Sequence, residues 1–475
     1  MTKPLAFAAA ALFATGLPAS GADQSPNSPE KPWRGLLNEW MEKEPPYLSA
    51  WDVGGQFRIR YEAKENAGSF PNRDFIEHGQ VNSNDYLLLR EMFHVGYTPQ
   101  PWVTVYAEAR DSRAFSDERD PSPDQDALDL HQAFLALGDP KNFPFCVKVG
   151  RQEMSYGDER FVGISDWSNT RRVFDAAKFH FDNRHLWLDA FAGRVIIPYD
   201  AAFNVANDYD WFWGLYASSG TLIPQLEAQL YFFGRNVGDQ SPQAITPTVG
   251  GPSAREIYTP GVRVRSLPGQ WTGWDYVAEI TGQFGRINAP GDRLNHRALA
   301  ADVVAGYTWE MARSQPRLSA GYTYGSGDSD PEDGVNETFD LLFGTNHKLY
   351  GLMDLFGLRN IHSPSFSFSF NPLPRLTLRA DYLLFWLANT HDYAYPESSS
   401  ARSGNGYGRN PTFNPFVGSE LDIVATYQPL NWAEMQLGYG HFFAGDYLQQ
   451  SVESIPANGS VTDADWAYVQ LKLSF

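Results

Sequence analysis

A repeated alternation of apolar and polar residues constrains the fold of this chain more than any other feature. In the first clear example, Phe57, Ile59 and Tyr61 alternate with polar residues. Successive side chains of a β-strand point to opposite faces, so this alternation predicts a strand with one apolar face and one wet face. Eighteen such segments follow residue 50, at 56–62, 86–97, 102–110, 131–137, 145–154, 172–181, 186–196, 211–218, 225–233, 257–265, 271–284, 298–309, 316–324, 363–370, 375–386, 418–427, 432–442 and 465–475.

The number of segments and the composition predict how these strands close. An even count suits a closed antiparallel barrel, and no run of about 18 apolar residues after residue 22 offers a transmembrane helix. Aromatic residues make up 15% of the chain and glycines number 41, a mixture typical of aromatic girdles, tight turns and a polar lumen. We therefore predict an all-β chain that forms an 18-stranded antiparallel transmembrane β-barrel of the bacterial outer membrane.

The N-terminus has the pattern of an export signal. A short positive start at residues 1–3 is followed by a mostly apolar stretch and by the small residues Ser20, Gly21 and Ala22. This pattern predicts a signal peptide at 1–22, too short to span a membrane. We expect a periplasmic N-terminal arm at 23–50, with a short amphipathic piece at 33–41, and the barrel at 51–475.

The connections between the predicted strands fall into two length classes. Short junctions at 98–101, 371–374 and 428–431 are rich in proline and predict tight turns at one rim. Long polar segments at 111–129, 234–255, 326–348, 389–417 and 449–464 predict loops at the other rim. The last strand alternates and ends on the aromatic Phe475, as is typical of bacterial outer-membrane proteins.

The stretch from 149 to 178 carries far more charge than its strand-like ends predict. Its charged residues include Arg151, Glu153, Asp158, Glu159, Arg160, Asp166, Arg171, Arg172 and Asp175. Burying unpaired charges in an apolar core is very costly, whereas a water-filled lumen can accept them. We expect the middle of this stretch, 155–170, to fold as a loop rather than as a pair of strands.

Several blocks of the sequence resemble one known family. The blocks at 150–179, 324–330, 338–361, 419–429 and 437–448 are similar, in this order, to blocks of the alginate-export outer-membrane porin family. The blocks spread over most of the chain after the signal peptide, so the resemblance covers the whole barrel. It implies an outer-membrane barrel through which an anionic polysaccharide such as alginate passes, with an arginine-lined lumen.

Inward-facing charged residues are the candidate cargo contacts. Guanidinium groups bind carboxylates bidentately and stay protonated, so a pore for a polyuronate needs inward arginines. Alternation places Arg58, Arg60, Arg90, Glu108 and Arg110 inward, and Arg379 faces inward if its strand keeps its register. Asp158, Arg160 and Arg172 are expected in a lumen or rim network. Arg151 shares the face of Val147 and Val149, so we expect it beyond a register break or at the rim. The candidates are Arg58, Arg60, Arg90, Glu108, Arg110, Arg151, Asp158, Arg160, Arg172 and Arg379.

The formal net charge of −19 excludes nucleic acid as a partner, because phosphates require basic patches. Much of the acid lies in the predicted loops, including Asp328, Asp330, Glu332 and Asp333. Such a cluster could bind Ca²⁺, although its spacing differs from that of a twelve-residue calcium loop and fits solvated turn acids better. No other cofactor and no metal site is predicted. The expected partners are the anionic polysaccharide, outer-membrane lipid and periplasmic export or scaffold proteins.

Two other functions remain open at this stage, and a third is not expected. A porin for uptake of small anionic oligosaccharides or solutes would use the same type of pore. A purely structural or adhesive barrel would not need inward arginines. A membrane-embedded hydrolase is not expected, because the chain has no nucleophile-elbow pattern and the adjacent acids Asp158 and Glu159 would point to opposite faces of a strand.

Overall fold

The computed structural model describes residue 37 and residues 50–78, 82–139, 142–183, 185–200, 202–242, 253–289, 292–397 and 400–475. The predicted signal peptide lies outside the described residues, as does the predicted arm apart from Leu37 and Ala50. Within the described ranges, no helix is long and apolar enough to cross a membrane.

One sheet contains all of the described strands. They are β1 (Trp51–Glu65), β2 (Asn84–Gln100), β3 (Val103–Phe115), β4 (Asp126–Leu137), β5 (Phe145–Gln152), β6 (Phe174–Asp182), β7 (Trp187–Ile197), β8 (Val205–Ile223), β9 (Leu226–Val237), β10 (Arg255–Ser266), β11 (Trp274–Ala289), β12 (Asp292–Thr308), β13 (Arg317–Gly325), β14 (Val335–Asn336), β15 (Ile361–Leu373), β16 (Leu376–Leu387), β17 (Phe416–Leu430), β18 (Ala433–Ala444) and β19 (Ala464–Ser474). A short helix, α1 (Asp446–Glu453), follows β18.

The sheet closes on itself. Each barrel strand pairs antiparallel with its neighbours, and β1 completes the ring by pairing with β19. At the seam, the amide of Gly55 donates to the carbonyl of Phe475 and the amide of Phe475 donates back, both at 3.0 Å. The two-residue β14 pairs in parallel with β12 and is not a wall strand. The prediction of a closed 18-stranded antiparallel barrel is confirmed, and each predicted segment overlaps one wall strand.

The two rims differ as the sequence predicts. Two-residue turns at 101–102, 224–225, 374–375 and 431–432 lie at one rim, here called the short-turn rim. The opposite rim carries the longest connections, which span 66–83, 153–173, 326–360, 388–415 and 445–463. Outer-membrane barrels keep their short turns at the periplasmic end and their long loops outside. The predicted loop 111–129 is shorter in the structure, 116–125, because β3 and β4 extend past the apolar band, where alternation no longer marks a strand.

The alternation of side chains orients the wall as predicted. The side chains of Tyr61, Phe93 and Val105 are 43%, 49% and 51% exposed on the outer face, where lipid replaces water. Arg58 and Arg90 on the same strands are buried on the inner face. This arrangement puts apolar groups against hydrocarbon and ionised groups inside.

Two long loops fold into the barrel rather than away from it. The β5–β6 loop (153–173) and the β13–β15 loop (326–360) contact each other through a bridge between Val162 and Phe343. Phe161 and Phe339 pack with the inward aromatic residues of β6 to β9 in one apolar cluster. The β5–β6 connection is a folded loop, so the prediction for 155–170 is confirmed.

Candidate functional site

The arginines of β1, β2 and β3 bind the β5–β6 loop. Arg58 donates from Nη1 to the carbonyl of Asp166 at 2.7 Å, and Arg60 donates from Nη1 to the carbonyl of Trp167 at 2.9 Å. Arg90 reaches the carboxylate of Asp166 at 2.8 Å. These arginines face inward as predicted, but loop atoms occupy their donors.

Arg110 and Glu108 on β3 also face inward as predicted and are engaged. Arg110 donates to the carbonyl of Thr170 and pairs with Asp126. Glu108 accepts hydrogen bonds from the hydroxyl of Tyr106 and from the amide group of Gln132, each at 3.0 Å. All of these side chains are buried. In this conformation a polymer in the lumen would meet the loop before it met these residues.

Trp167 is the point where the wall and both loops meet. The guanidinium of Arg60 lies 3.5 Å from the centroid of the Trp167 ring, within cation–π range. The ring of His347, on the β13–β15 loop, stacks on the same indole, with ring centroids 3.9 Å apart. The indole therefore joins β1 to both loops.

The opposite side of the β5–β6 loop is tied to β10, β11 and β12. Asp158 pairs with Arg263 at 2.6 Å, and Arg160 pairs with Asp302 at 2.7 Å and with Glu279 at 3.3 Å. Burial alone would raise the pKa of Asp158, but the charge of Arg263 lowers it below its usual range. The loop is thus anchored to two facing walls and crosses the lumen.

Arg172 connects the two loops. It donates to the carbonyls of Gly163 at 3.1 Å and Gly344 at 3.0 Å, and also to that of Phe343. Burial lowers the pKa of its guanidinium to about 10, so the group stays protonated at neutral pH. Arg172 and the three ion pairs of Asp158 and Arg160 therefore anchor the β5–β6 loop.

The structure corrects the placement of Arg151 in the lumen. Its side chain lies on the outer face with Val147 and Val149, which are exposed. It pairs with Asp175 at 2.9 Å and donates to the carbonyl of Asn204 at 3.1 Å. The alternation continues unbroken to Arg151, so no register break turns it inward. Arg151 lies on the outer face at the long-loop rim, one residue before β5 ends at Gln152.

Arg379 faces the open part of the lumen. It pairs with Asp381, two residues along the same face of β16, at 2.6 Å, and its side chain remains 33% exposed. Both residues line a cavity with Arg317 and Lys348. On β13 and β15 the lining of this cavity includes Arg317, Phe366 and the small residues Ser319, Gly321, Thr323, Ser365 and Ser367. The predicted inward register of Arg379 is confirmed.

Of the inward ion pairs near the short-turn rim, the sequence indicated only the one that Arg379 makes. Each joins a cation to a carboxylate on the inner face, close to a strand end. The pairs are Lys178–Asp189 at 3.3 Å, Arg317–Asp275 at 2.5 Å, Arg379–Asp381 at 2.6 Å, Lys472–Glu434 at 2.9 Å and Arg265–Glu227. Most of them could have been found by selecting charged residues that alternate onto the inner face and lie a few positions from a short turn.

Glu108, His131 and Glu153 bring three possible metal-ligand atoms together, but the surrounding groups do not suit a cation. Arg110 Nη1 lies 3.0 Å from His131 Nδ1, which must therefore accept that hydrogen bond. The proton then resides on Nε2, which donates to Glu153 at 2.9 Å. A metal would need the Nε2 lone pair, and the guanidinium of Arg171 already balances Glu153 at 2.9 Å.

The acidic cluster of the β13–β15 loop supports its own turns. Asp330 accepts the amide of Glu332 at 3.2 Å, and Asp333 accepts the amide of Val335 at 2.8 Å. Asp328 is buried, and burial together with the charge of Asp392 raises its pKa to about 6. Calcium binding at these acids stays a prediction.

A family model described as alginate export matches residues 49–458. The chain belongs to the alginate-export family. This membership and the closed barrel make it an outer-membrane channel for the passage of an anionic polysaccharide, located in the bacterial outer membrane. A comparison with curated protein sequences found no match.

Solved structures similar to this alginate-export family member are porins of Pseudomonas aeruginosa. OpdO is 12% identical, with 90% of this chain and 97% of that chain covered and a TM-score of 0.55. OccK11 (OpdR) is 12% identical, with 90% and 96% covered and a TM-score of 0.53. OccK2 (OpdF), solved with glucuronate, is 13% identical, with 89% and 98% covered and a TM-score of 0.53. At these identities the similarity shows the shared barrel fold.

Proposed function

We propose that alginate or a similar polyuronate passes along the side of the lumen formed by β12 to β16. The observation that carries this proposal is the combination of a water-exposed Arg379 with a lane of small polar residues on β13 and β15. The β1–β3 side is filled by the β5–β6 loop, whose carbonyls occupy Arg58 and Arg60. The cavity beside Arg379 lies on the other side.

The ion pairs along this lane suit transient binding of carboxylates. A carboxylate of the polymer can replace Asp381 at Arg379, or Glu159 at Lys348, where the native distance is 2.8 Å. Because each cation already has an acidic partner, binding the cargo exchanges one carboxylate for another. Such exchange holds the polymer strongly enough to enter and weakly enough to leave. The candidates Arg58, Arg60, Arg90, Glu108 and Arg110 would contact cargo only after the loop moves.

Uptake of small anionic oligosaccharides or solutes is the second candidate function. One observation favours it, namely that the β5–β6 loop is anchored on both facing walls and narrows the lumen. Small solutes would pass such a constriction without loop displacement, whereas a long chain must thread it. The length dependence of transport separates the two functions.

Planar-bilayer recording of the purified full-length channel tests the proposal. We expect anion selectivity and a current that polyuronate blocks, with block weakened roughly tenfold in Arg379→Gln, since charge-assisted hydrogen bonds contribute about 1.5–3 kcal/mol. Arg194→Gln is a matched control, because Arg194 pairs with the exposed Asp208 at 2.6 Å on the outer face. Cation selectivity without polyuronate block would refute the proposal.

The same preparation tests two finer proposals. We expect polyuronate to keep its chain length after passage, because the barrel acts as a channel and not as a hydrolase; size analysis of the recovered polymer decides this. Block by uronate oligomers that grows with length would favour a threaded polymer over small-solute uptake. Binding of periplasmic export or scaffold proteins stays a prediction.

A further inference from the structure

Two lysines lie side by side on the inner wall near the short-turn rim. Lys148 of β5 and Lys178 of β6 are direct register partners. Both face inward, because the outer face of these strands is taken by Val147, Val149 and Phe179, which are exposed. Residues directly opposite in an antiparallel pair have Cβ atoms about 5 Å apart, and like charges there destabilise the sheet.

The two ammonium groups differ in their partners. Lys178 Nζ lies 3.3 Å from Asp189. For Lys148, no carboxylate partner is found among the described residues, and its Nζ lies 3.7 Å from the centroid of the Phe134 ring. A cation–π contact is a weak substitute for a carboxylate at a partly wet site. Lys148 thus differs from the other inward cations of the short-turn rim, each of which has an acidic partner.

Three carboxylates act electrostatically on Lys148, those of Glu153, Asp189 and Glu108, and each is engaged elsewhere. Glu153 pairs with Arg171 at 2.9 Å. Asp189 also accepts hydrogen bonds from the hydroxyl of Tyr156 at 2.8 Å and from His180 Nδ1 at 2.5 Å. Glu108 is bound by Tyr106 and Gln132, as described above. The register neighbour of Lys148 on β4 is Ala136, which has no polar side chain. No described side chain therefore forms an ion pair with Lys148, although these carboxylates still attract its ammonium.

We propose that Lys148 and Lys178 form a binding subsite for one carboxylate of a uronic acid polymer. This inference rests on the proposed function. One carboxylate oxygen accepts from each ammonium, which removes the like-charge repulsion between the two strands. Lys148 lies three residues from Phe145, where β5 begins at the short-turn rim, so the subsite meets a polymer at the periplasmic mouth of the lumen.

Block of the full-length channel by a defined uronate oligomer tests the subsite. With the oligomer added on the short-turn side, we expect Lys148→Gln to weaken block roughly tenfold and Lys148→Arg to retain it. Asp189→Asn should tighten block, because it removes the carboxylate that competes for Lys178. Arg194→Gln, which removes an outer-face charge, should leave block unchanged.

The outcomes separate this inference from the proposed function. If the wild-type channel is blocked and Lys148→Gln is blocked equally, the subsite is wrong while the proposed function stands. If uronate oligomers do not block the wild-type channel from either side, both fail. Equal loss of block in Lys148→Gln and Lys148→Arg would show that packing against Phe134 matters rather than charge, which also overturns the subsite. Asp189→Asn tests the same point if the lysine variants do not assemble.

Discussion

Replacing Arg90 with methionine should free the β5–β6 loop from the wall. Arg90 is fully buried and makes an ion pair with Asp166 at 2.8 Å and hydrogen bonds to the carbonyls of Asp166 at 3.0 Å and Ser168 at 3.2 Å. Methionine keeps a similar volume and removes every donor. The change therefore weakens the contact between β2 and the loop without leaving a large cavity.

The size of the effect follows from the surroundings of Asp166. Removing one partner of a buried ion pair costs about 3–5 kcal/mol. The Asp166 side chain is half exposed and keeps Arg171 at 3.4 Å, so the lower end, about 3 kcal/mol, is the better expectation. Since about 1.4 kcal/mol is tenfold, the ratio of displaced to anchored loop should rise roughly a hundredfold.

Single-channel recording measures this ratio as the fraction of time spent at high conductance. We expect the Arg90→Met channel to open more often and to admit longer uronate oligomers than the wild type. Arg194→Met is the control, because it removes an arginine from the outer face. Unchanged conductance and unchanged open fraction in Arg90→Met, with the barrel still assembled, would refute the idea that the anchored loop limits passage.

Two further predictions concern other parts of the barrel. Ser365→Phe should narrow the lane of small residues on β13 and β15 and reduce both conductance and polyuronate block. Ser365→Ala should leave both near wild type. Bilayer recording checks this, and unchanged conductance and block in the Phe variant would show that the polymer passes elsewhere. Burial raises the pKa of Asp328 to about 6 in the folded protein, above its value near 4 in the unfolded chain. The neutral form of Asp328 therefore stabilises the outer loops. This stability should fall as the pH rises from about 4 to 6. Limited proteolysis of the loops should lose this pH dependence in Asp328→Asn, and persistence of the dependence would contradict the assignment.

The sequence determined the wall of the barrel. Period-two alternation is a local property, and lipid outside with ionised groups inside leaves one register for each strand. This is why Arg58, Arg90, Glu108 and Arg379 face inward as predicted. Arg151 follows the same rule on the outer face. Its position in the alternation indicated the outer face, and only the family resemblance suggested the lumen.

The tertiary structure decided what the inward charges do. Arg58 binds loop atoms more than a hundred positions away in the chain, and Arg160 binds β11 and β12, so no local pattern could reveal these partners. The same holds for Lys148 and Lys178, which become neighbours only after the β5–β6 loop brings two strands into register. Alternation sets the face on which a charge lies, whereas the path of the loops sets whether that charge meets a carbonyl, a carboxylate or the cargo.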